Sequence, residues 1–256
     1  MSSLILLVEK RDGRIKDRGC AAISKQRRQP GYKKEDAALP IVSNEGVTTT
    51  CAIKAHKKLN VACIDIPGAY LHALTDEEVT MLLKGPLAEL MVMVDPKIYR
   101  KHDTHSSKGG ALLYVKMNKA PYAYGLLKSA LLFYKKLVTD LETYGFKVNP
   151  YDPWMANTII NCKQMTVNWH VYDSRVSHEG VFKITKFATY LSGVYGTQLT
   201  VHRGKVHKYL GMDLNHSKEG KVKVAMIKYL DKATKEFPEE IGPPAILPPA
   251  KYLFLV

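Results

Sequence analysis

The stretch WHVYDSRVSH, residues 169–178, predicts a β-hairpin with a carboxylate at its tip. Its apolar and polar residues alternate up to Tyr172 and Asp173 and again beyond them, which is the pattern of a strand, a tight turn and a second strand. An aspartate at a turn has an ordinary structural explanation, because its side chain hydrogen-bonds the backbone of the turn. The alternative is a functional carboxylate, and the rest of the chain decides between the two.

A second acidic residue ends a predicted strand about a hundred residues earlier. In VACIDIPGAYLHA, residues 61–73, a nearly continuous apolar run leads to Asp65 and is stopped by Pro67-Gly68, which predicts a buried strand. A carboxylate at the end of such a strand is costly unless it is paired, hydrogen-bonded or bound to a metal. Because the ends of adjacent strands can converge, Asp65 and Asp173 together are typical of two-metal phosphoryl-transfer chemistry.

The charge of the chain favours a polyanionic partner. Its formal net charge is +14, and residues 10–34 contain ten Lys and Arg side chains against only Asp12 and Asp17. Nucleic acid fits this charge, because neutralised phosphates release counterions. A solvated basic surface is the alternative, and a membrane surface is disfavoured because no strongly apolar helix face accompanies the charge.

Composition also bounds the class of protein and its compartment. With 256 residues and 46% hydrophobic content, the chain can bury a substantial core as one domain or two lobes. The four cysteines show no C-x-x-C spacing, and His202 and His207 have no Cys or carboxylate at ligand spacing, so a zinc site is disfavoured. No apolar run approaches the roughly 20 residues of a membrane span. We therefore expect a soluble, reduced, intracellular protein that is not secreted.

Local patterns predict a succession of hairpins and helices. Asp12-Gly13 predicts a hairpin whose second strand carries Lys16 and Arg18 on one face. The pattern of residues 154–171 predicts another hairpin that turns near Asn161. Residues 75–110 are predicted to form a variable connection. Helices are predicted within residues 48–60, 124–145 and 180–196, and short strands with a brief helix follow. The apolar stripe of the 124–145 helix consists of Leu127, Ala130, Leu131, Tyr134, Leu137, Val138, Leu141 and Tyr144. The order of elements indicates an α+β fold.

Four motifs resemble the reverse transcriptase of copia-type retrotransposons. They are DIPGAYLHA (65–73), YGLLKSALLFYKKL (124–137), WHVYDSRVSH (169–178) and KYLGMDLN (208–215), in the family's order and approximate spacing. The resemblance covers most of the chain. It implies an RNA-directed DNA polymerase, a nucleotidyltransferase with the palm and fingers of a right-hand polymerase.

The resemblance also implies boundaries. The whole chain, residues 1–256, corresponds to a reverse transcriptase domain fragment. Residues 1–60 fall mainly in the fingers, residues 61–215 mainly in the palm with an inserted fingers segment, and residues 216–256 at the end of the palm and the truncated start of the thumb. A complete thumb and the RNase H domain are expected to be missing.

The family's functional residues map onto this chain by motif. Asp65 and Asp173 correspond to catalytic metal ligands, with the backbone carbonyl of Ile66 beside them. Tyr70 corresponds to the aromatic residue that excludes a 2′-hydroxyl, although packing beneath the strand is its alternative. The remaining matches are Lys16 and Arg18 for the triphosphate, Gly125, Lys128 and Ser129 for the nascent base pair and template, and Tyr209, Leu210 and Gly211 for the primer grip. The implied ligands are Mg²⁺, a dNTP, and an RNA or DNA template with a DNA primer.

The hairpin tip departs from the family pattern at Tyr172. The family has two successive aspartates there, and Tyr172 occupies the position of the first, which normally binds both metals. Neighbouring side chains on extended backbone point in different directions, so Asp173 is not expected to substitute. The tyrosine ring is expected to fill space that an ion and a phosphate need. A degenerate, inactive or severely impaired polymerase is therefore predicted, and a non-catalytic basic nucleic-acid-binding remnant is the alternative. The implied compartment is cytoplasmic, in particles, or nuclear.

Overall fold

The computed structural model describes residues 2–9, 15–22, 42–105, 109–119, 129–196 and 199–237. They form a mixed α/β protein. The strands are β1 (Ser2–Glu9), β2 (Ile15–Ala22), β3 (Asn60–Asp65), β4 (Leu74–Lys84), β5 (Asp103–His105), β6 (Ala111–Lys119), β7 (Lys147–Val148), β8 (Met155–Ile160), β9 (Lys163–His170), β10 (Asp173–His178), β11 (Thr200–Arg203), β12 (Val206–Tyr209), β13 (Met212–Asn215) and β14 (Lys223–Ala225). The helices are α1 (Asn44–Lys57), α2 (Pro86–Val94), α3 (Pro96–Tyr99), α4 (Ser129–Tyr144), α5 (Val181–Tyr195) and α6 (Ile227–Lys235).

A six-stranded sheet in the order β11-β3-β10-β9-β8-β7 forms the centre of the molecule. The pairings of β3 with β10 and β11, and of β8 with β9, are all antiparallel. The β8–β9 hairpin turns at Asn161 and Cys162, whose φ angles of 51° and 60° are both left-handed, as a type I′ turn requires. The hairpin predicted near Asn161 is thus confirmed. Strands β1 and β2 pair antiparallel, as the predicted hairpin requires, and its predicted turn residues Asp12 and Gly13 lie outside the described residues.

Two helices and the central sheet form the main hydrophobic core. From α4 come Phe133, Leu137 and Leu141, which recur every four residues and are almost fully buried. Helix α5 packs against β3 and β10 and buries Ile184, Phe187 and Leu191. The described part of α4 confirms the predicted helix, but the stripe is displaced, because Phe133 was not part of it and is fully buried.

Helix α1 and the β12–β13 hairpin contact residues on the same face of the central sheet. Arg175 of β10 and Cys63 of β3 are directly opposite each other, so their side chains share a face. The Arg175 Nη1 donates a hydrogen bond of 2.9 Å to the Thr50 hydroxyl of α1. On β12, His207 Nδ1 lies 3.6 Å from the Cys63 sulfur. This face therefore carries polar side chains that are covered by other parts of the chain.

A second, smaller sheet lies where a variable connection was expected. It has the order β4-β6-β5, and it packs with α2 around a small core of Leu83, Ala88, Ala111 and Leu113. The expectation for residues 75–110 was wrong because the β4–β6 pairing joins residues 28 to 45 positions apart, from Lys84↔Leu112 to Leu74↔Lys119, and no short turn signals it. Pro86 begins α2 at a position where proline favours a helix start.

No helix in the described ranges combines the length and the apolar character that crossing a membrane requires.

Candidate functional site

Asp65 and Asp173 are direct partners in the antiparallel ladder between β3 and β10. Strand β3 buries Ala62 and Ile64 and ends at the partly exposed Asp65, and the next residue, Ile66, is buried again. Opposite residues in such a ladder have Cβ atoms roughly 4.5–5.5 Å apart and project from one face of the sheet. The two acids from distant parts of the sequence are thus brought together at one end of the central sheet.

Both aspartates line a cleft of about 440 Å³. The tip of the β12–β13 hairpin forms another part of its wall, and the turn residues Leu210 and Gly211 have left-handed φ angles of 51° and 76°. Around the two aspartates the cleft is lined by Cys63, Ile64, Ser174, Thr200, His202, Lys208, Tyr209, Leu210 and Gly211. The three residues predicted for the primer grip therefore share a cleft with the predicted metal ligands.

The position of Tyr172 differs from the sequence expectation. Asp173 pairs with His170 on β9, which leaves Val171 and Tyr172 as the two turn residues and makes Asp173 the first residue of β10. Tyr172, which the structure describes, packs against the main core and does not line the cleft. Asp173 faces the side that Asp65 occupies. The two-residue turn leaves Tyr172 outside the ladder, so Asp173, and not its neighbour, lies opposite Asp65.

Val171 has an unfavourable backbone conformation at this turn. Its φ angle of 55° is left-handed, a region that β-branched residues rarely adopt. Such conformations cost of order 1–3 kcal/mol and are found most often at functional sites. The two-residue loop needs this conformation to bring β10 back in register with Asp65.

The other predicted substrate-binding residues have varied surroundings. Tyr70 packs against the main core and makes a T-shaped contact with Phe133 at a centroid distance of 6.3 Å. Ser129 is buried at the start of the described part of α4. Lys16 and Arg18 lie on β2, two residues apart, as the period-two pattern predicted. Gly125 and Lys128 lie outside the described residues.

A buried basic layer beneath the cleft was not predicted from sequence. Arg175, two residues after Asp173, is 1% exposed, and its Nε and Nη2 atoms have no hydrogen-bond partner among the described residues. Lys54 of α1 is also buried, and desolvation together with the Arg175 charge lowers its pKa to about 8. Alternation along β10 places Arg175 on the face that carries Asp173, which is the one signal that could have identified it.

Neutral groups complete this layer. Burial raises the pKa of the Cys63 thiol to about 11, against an opposing effect of the Arg175 charge. Burial and the neighbouring Lys54 charge lower the pKa of His207 to about 4, so its imidazole is neutral near pH 7. The Tyr209 hydroxyl accepts a hydrogen bond from Asn168 Nδ2 at 3.5 Å, and burial raises its pKa. The layer thus holds two cations and several uncharged polar groups.

Within the described ranges, no group of three or more His, Cys, Asp and Glu side chains is arranged to hold a metal ion. The acidic content of the cleft is the Asp65–Asp173 pair.

The sequence matches no protein-family profile, and no curated protein matches it. Among solved structures, the chain is similar to apo telomerase from Candida tropicalis, truncated from its C-terminal domain, with a TM-score of 0.41 and 11% sequence identity. The alignment covers 87% of this chain and 54% of that chain. This chain therefore spans about half the length of that neighbour.

Proposed function

We propose that this chain is a retrotransposon-derived RNA-directed DNA polymerase domain of the copia type with a weakened catalytic site. The observation that carries the proposal is the direct pairing of Asp65 with Asp173 in a cleft that also contains Tyr209, Leu210 and Gly211. Two distant acids and the predicted primer-grip motif share one site. The proposed palm consists of the central sheet with α4 and α5, and the proposed fingers include the β1–β2 hairpin.

The donor set in the cleft suits Mg²⁺. Magnesium prefers oxygen ligands and is commonly held by one or two carboxylates together with water and substrate phosphates. In the proposal Asp65, Asp173 and the backbone carbonyl of Ile66 would hold it. When bound, Mg²⁺ neutralises charge that develops on the phosphoryl oxygens during nucleotide transfer.

The remaining residues position the reactants. The reaction is attack of a primer 3′-hydroxyl on the α-phosphate of a dNTP, with pyrophosphate as the leaving group. Lys16 and Arg18 bind the triphosphate, and Tyr70 selects against a 2′-hydroxyl. Gly125, Lys128 and Ser129 contact the nascent base pair and the template. Tyr209, Leu210 and Gly211 hold the primer terminus, and Lys208 in the same cleft offers a further cation for its phosphates.

The weakness of the site follows from its two carboxylates. The family pattern provides a third, at the position of Tyr172, so transition-state charge is neutralised less completely here. A loss of several kcal/mol of such stabilisation corresponds to roughly a thousandfold in rate. We therefore propose slow, Mg²⁺-dependent nucleotide incorporation.

Primer extension on an RNA template with a DNA primer tests the proposal. We expect slow Mg²⁺-dependent incorporation by the wild type and none by Asp65→Asn or Asp173→Asn, since each change removes one of the two carboxylates that line the cleft. Tyr172→Phe is the control, since Tyr172 packs against the main core and is not among the residues that line the cleft, and it should resemble the wild type. Incorporation that persists unchanged in Asp65→Asn would overturn the proposed site.

A non-catalytic nucleic-acid-binding remnant is the second candidate. The observation that favours it is the net charge of +14 combined with two acids among the described residues that line the cleft. It predicts salt-sensitive binding of template-primer without incorporation by the wild type. The same set of proteins therefore distinguishes the two candidates.

A further inference from the structure

A second cleft lies at the other end of the central sheet. Its volume is about 520 Å³, and its lining includes Asn60 at the start of β3 and Arg203 at the end of β11. Asp65 is five residues along β3 from Asn60, a distance of roughly 17 Å on an extended strand. We call this second cavity the basic cleft. It is separate from the cleft that holds the two aspartates.

The lining of the basic cleft is strongly positive. Its cations are Lys54, Lys58, Arg203, Lys205, Lys218 and Lys221. Glu219 is the one acidic residue in the described lining, and it is already ion-paired with Lys58. The cleft therefore has a large excess of positive charge, and an anionic ligand would be attracted to it.

Lys54 is a buried cation in the lining of this cleft. Its side chain is only 6% exposed, and no hydrogen bond or ion pair of its ammonium group is found in the described part of the chain. Arg175 lies close enough to lower the pKa of Lys54, so two buried cations repel each other here. A buried charge is costly unless it is paired, and an anion bound beside Lys54 would supply the partner.

His216 adds a second unsatisfied group to the same wall. Both of its ring nitrogens are buried and have no hydrogen-bond partner among the described residues. Burial and the Lys54 charge lower its pKa to about 4, so the ring is neutral near pH 7 and carries one N–H donor. A ligand rich in acceptor oxygens could accept that hydrogen bond.

The size and lining of the cleft indicate what kind of anion fits. A volume of about 520 Å³ is in the range of small-ligand sites. Surfaces that bind single-stranded nucleic acid present aromatic side chains on which bases stack. No Phe, Tyr or Trp is among the described residues that line this cleft. A compact, multiply charged ligand is therefore favoured over a nucleic-acid strand.

We propose that the basic cleft is a binding site for a compact oligophosphate, separate from the proposed polymerase site. Lys54 and His216 contact the ligand at the inner wall, while Arg203, Lys205, Lys218 and Lys221 surround it at the rim. The ligand would complete the charge balance of the buried basic layer. The proposal stands whether or not the aspartate cleft catalyses nucleotide transfer.

Isothermal titration calorimetry with sodium tripolyphosphate at pH 7 and moderate salt tests this site. We expect saturable binding with one site per chain, and inorganic phosphate should bind more weakly. Lys205→Gln with Lys221→Gln should weaken tripolyphosphate binding at least tenfold. Lys54→Met should do the same, because it keeps the length of the side chain and removes its charge. Circular dichroism establishes that each variant is folded.

The matched control removes two exposed charges elsewhere. Lys135→Gln with Lys147→Gln alters net charge equally, but neither residue lines the basic cleft, so tripolyphosphate affinity should stay within twofold of the wild type. If tripolyphosphate affinity fell equally in the Lys205→Gln, Lys221→Gln variant and in this control, the proposal would be overturned, because binding would then follow net charge. Displacement of bound tripolyphosphate by a single-stranded oligonucleotide with higher affinity, again dependent on Lys205 and Lys221, would also overturn it in favour of a nucleic-acid surface.

Discussion

Lys54 is predicted to destabilise the folded chain at neutral pH. Desolvation and the nearby Arg175 charge lower its pKa from 10.5 to about 8, so folding disfavours the charged form. Well below pH 8 this effect costs of order 3 kcal/mol, since each pKa unit corresponds to about 1.4 kcal/mol. Lys54→Met should therefore raise the free energy of unfolding at pH 7, measured by urea denaturation. Lys57→Met, an exposed residue of the same helix, is the control and should have little effect.

The pH dependence of this difference tests its cause. Between about pH 8 and 10.5 the unfolded chain retains the Lys54 proton and the folded chain does not, so wild-type stability increases with pH through that window. The advantage of Lys54→Met should shrink over the same range. An advantage that stays constant from pH 7 to pH 10 would mean that packing, and not the buried charge, is responsible.

His207 makes a contribution of the same sign at lower pH. Burial lowers its folded pKa from 6.5 to about 4, so below pH 6.5 the unfolded state binds a proton that the folded state does not. Stability should therefore fall from pH 6.5 to 4, with His207 accounting for about 2 kcal/mol at pH 5. Thermal unfolding of His207→Gln should show a shallower pH dependence over this range. His202→Gln, an exposed histidine, should retain the wild-type slope, and identical slopes in all three proteins would contradict the assignment.

At the scale of elements, the β8–β9 turn allows a stabilising substitution. Cys162 is exposed and holds a φ angle of 60°, which costs a residue with a Cβ atom about 1 kcal/mol or more. Cys162→Gly creates Asn-Gly, the preferred type I′ sequence, and should raise the melting temperature by roughly 2–4 °C. Cys162→Ser keeps the Cβ atom and should give no such increase. Equal melting temperatures for the Gly and Ser variants would indicate that this backbone conformation is not strained.

The elements that sequence predicts well are those whose signals are local. Asp12-Gly13, the turn at Asn161 and the repeat in α4 each lie within a few residues of the structure they specify. The β4–β6 pairing depends on residues far apart in sequence, so residues 75–110 could not be interpreted by local pattern. For the same reason, the position of Tyr172 could not be predicted from local sequence. Only the register of β9, β10 and β3 reveals that Asp173 and not its neighbour lies opposite Asp65.

At the scale of the whole molecule, the central sheet separates two electrostatic environments. Its one end carries the two aspartates, and its other end carries the basic cleft. The buried layer of Arg175 and Lys54 lies between them on the same face. Total charge indicated a polyanionic partner, but it could not reveal that positive charge also lies inside the protein, because burial is a property of the assembled fold.

The net charge of +14 predicts strongly salt-dependent binding of template-primer. If about six phosphates are neutralised, the affinity should fall roughly a thousandfold between 50 and 200 mM salt, measured by fluorescence anisotropy. Asp65→Asn with Asp173→Asn should bind at least as tightly with the same log–log slope, because those residues are proposed to contact the reacting groups and not the backbone phosphates. Lys205→Gln with Lys221→Gln should also keep the slope, since the basic cleft is proposed to lie off the path of the nucleic acid. A slope near zero in the wild type would exclude phosphate neutralisation as the basis of binding. A reduced slope in the variant with Lys205→Gln and Lys221→Gln would place the nucleic acid across the basic cleft.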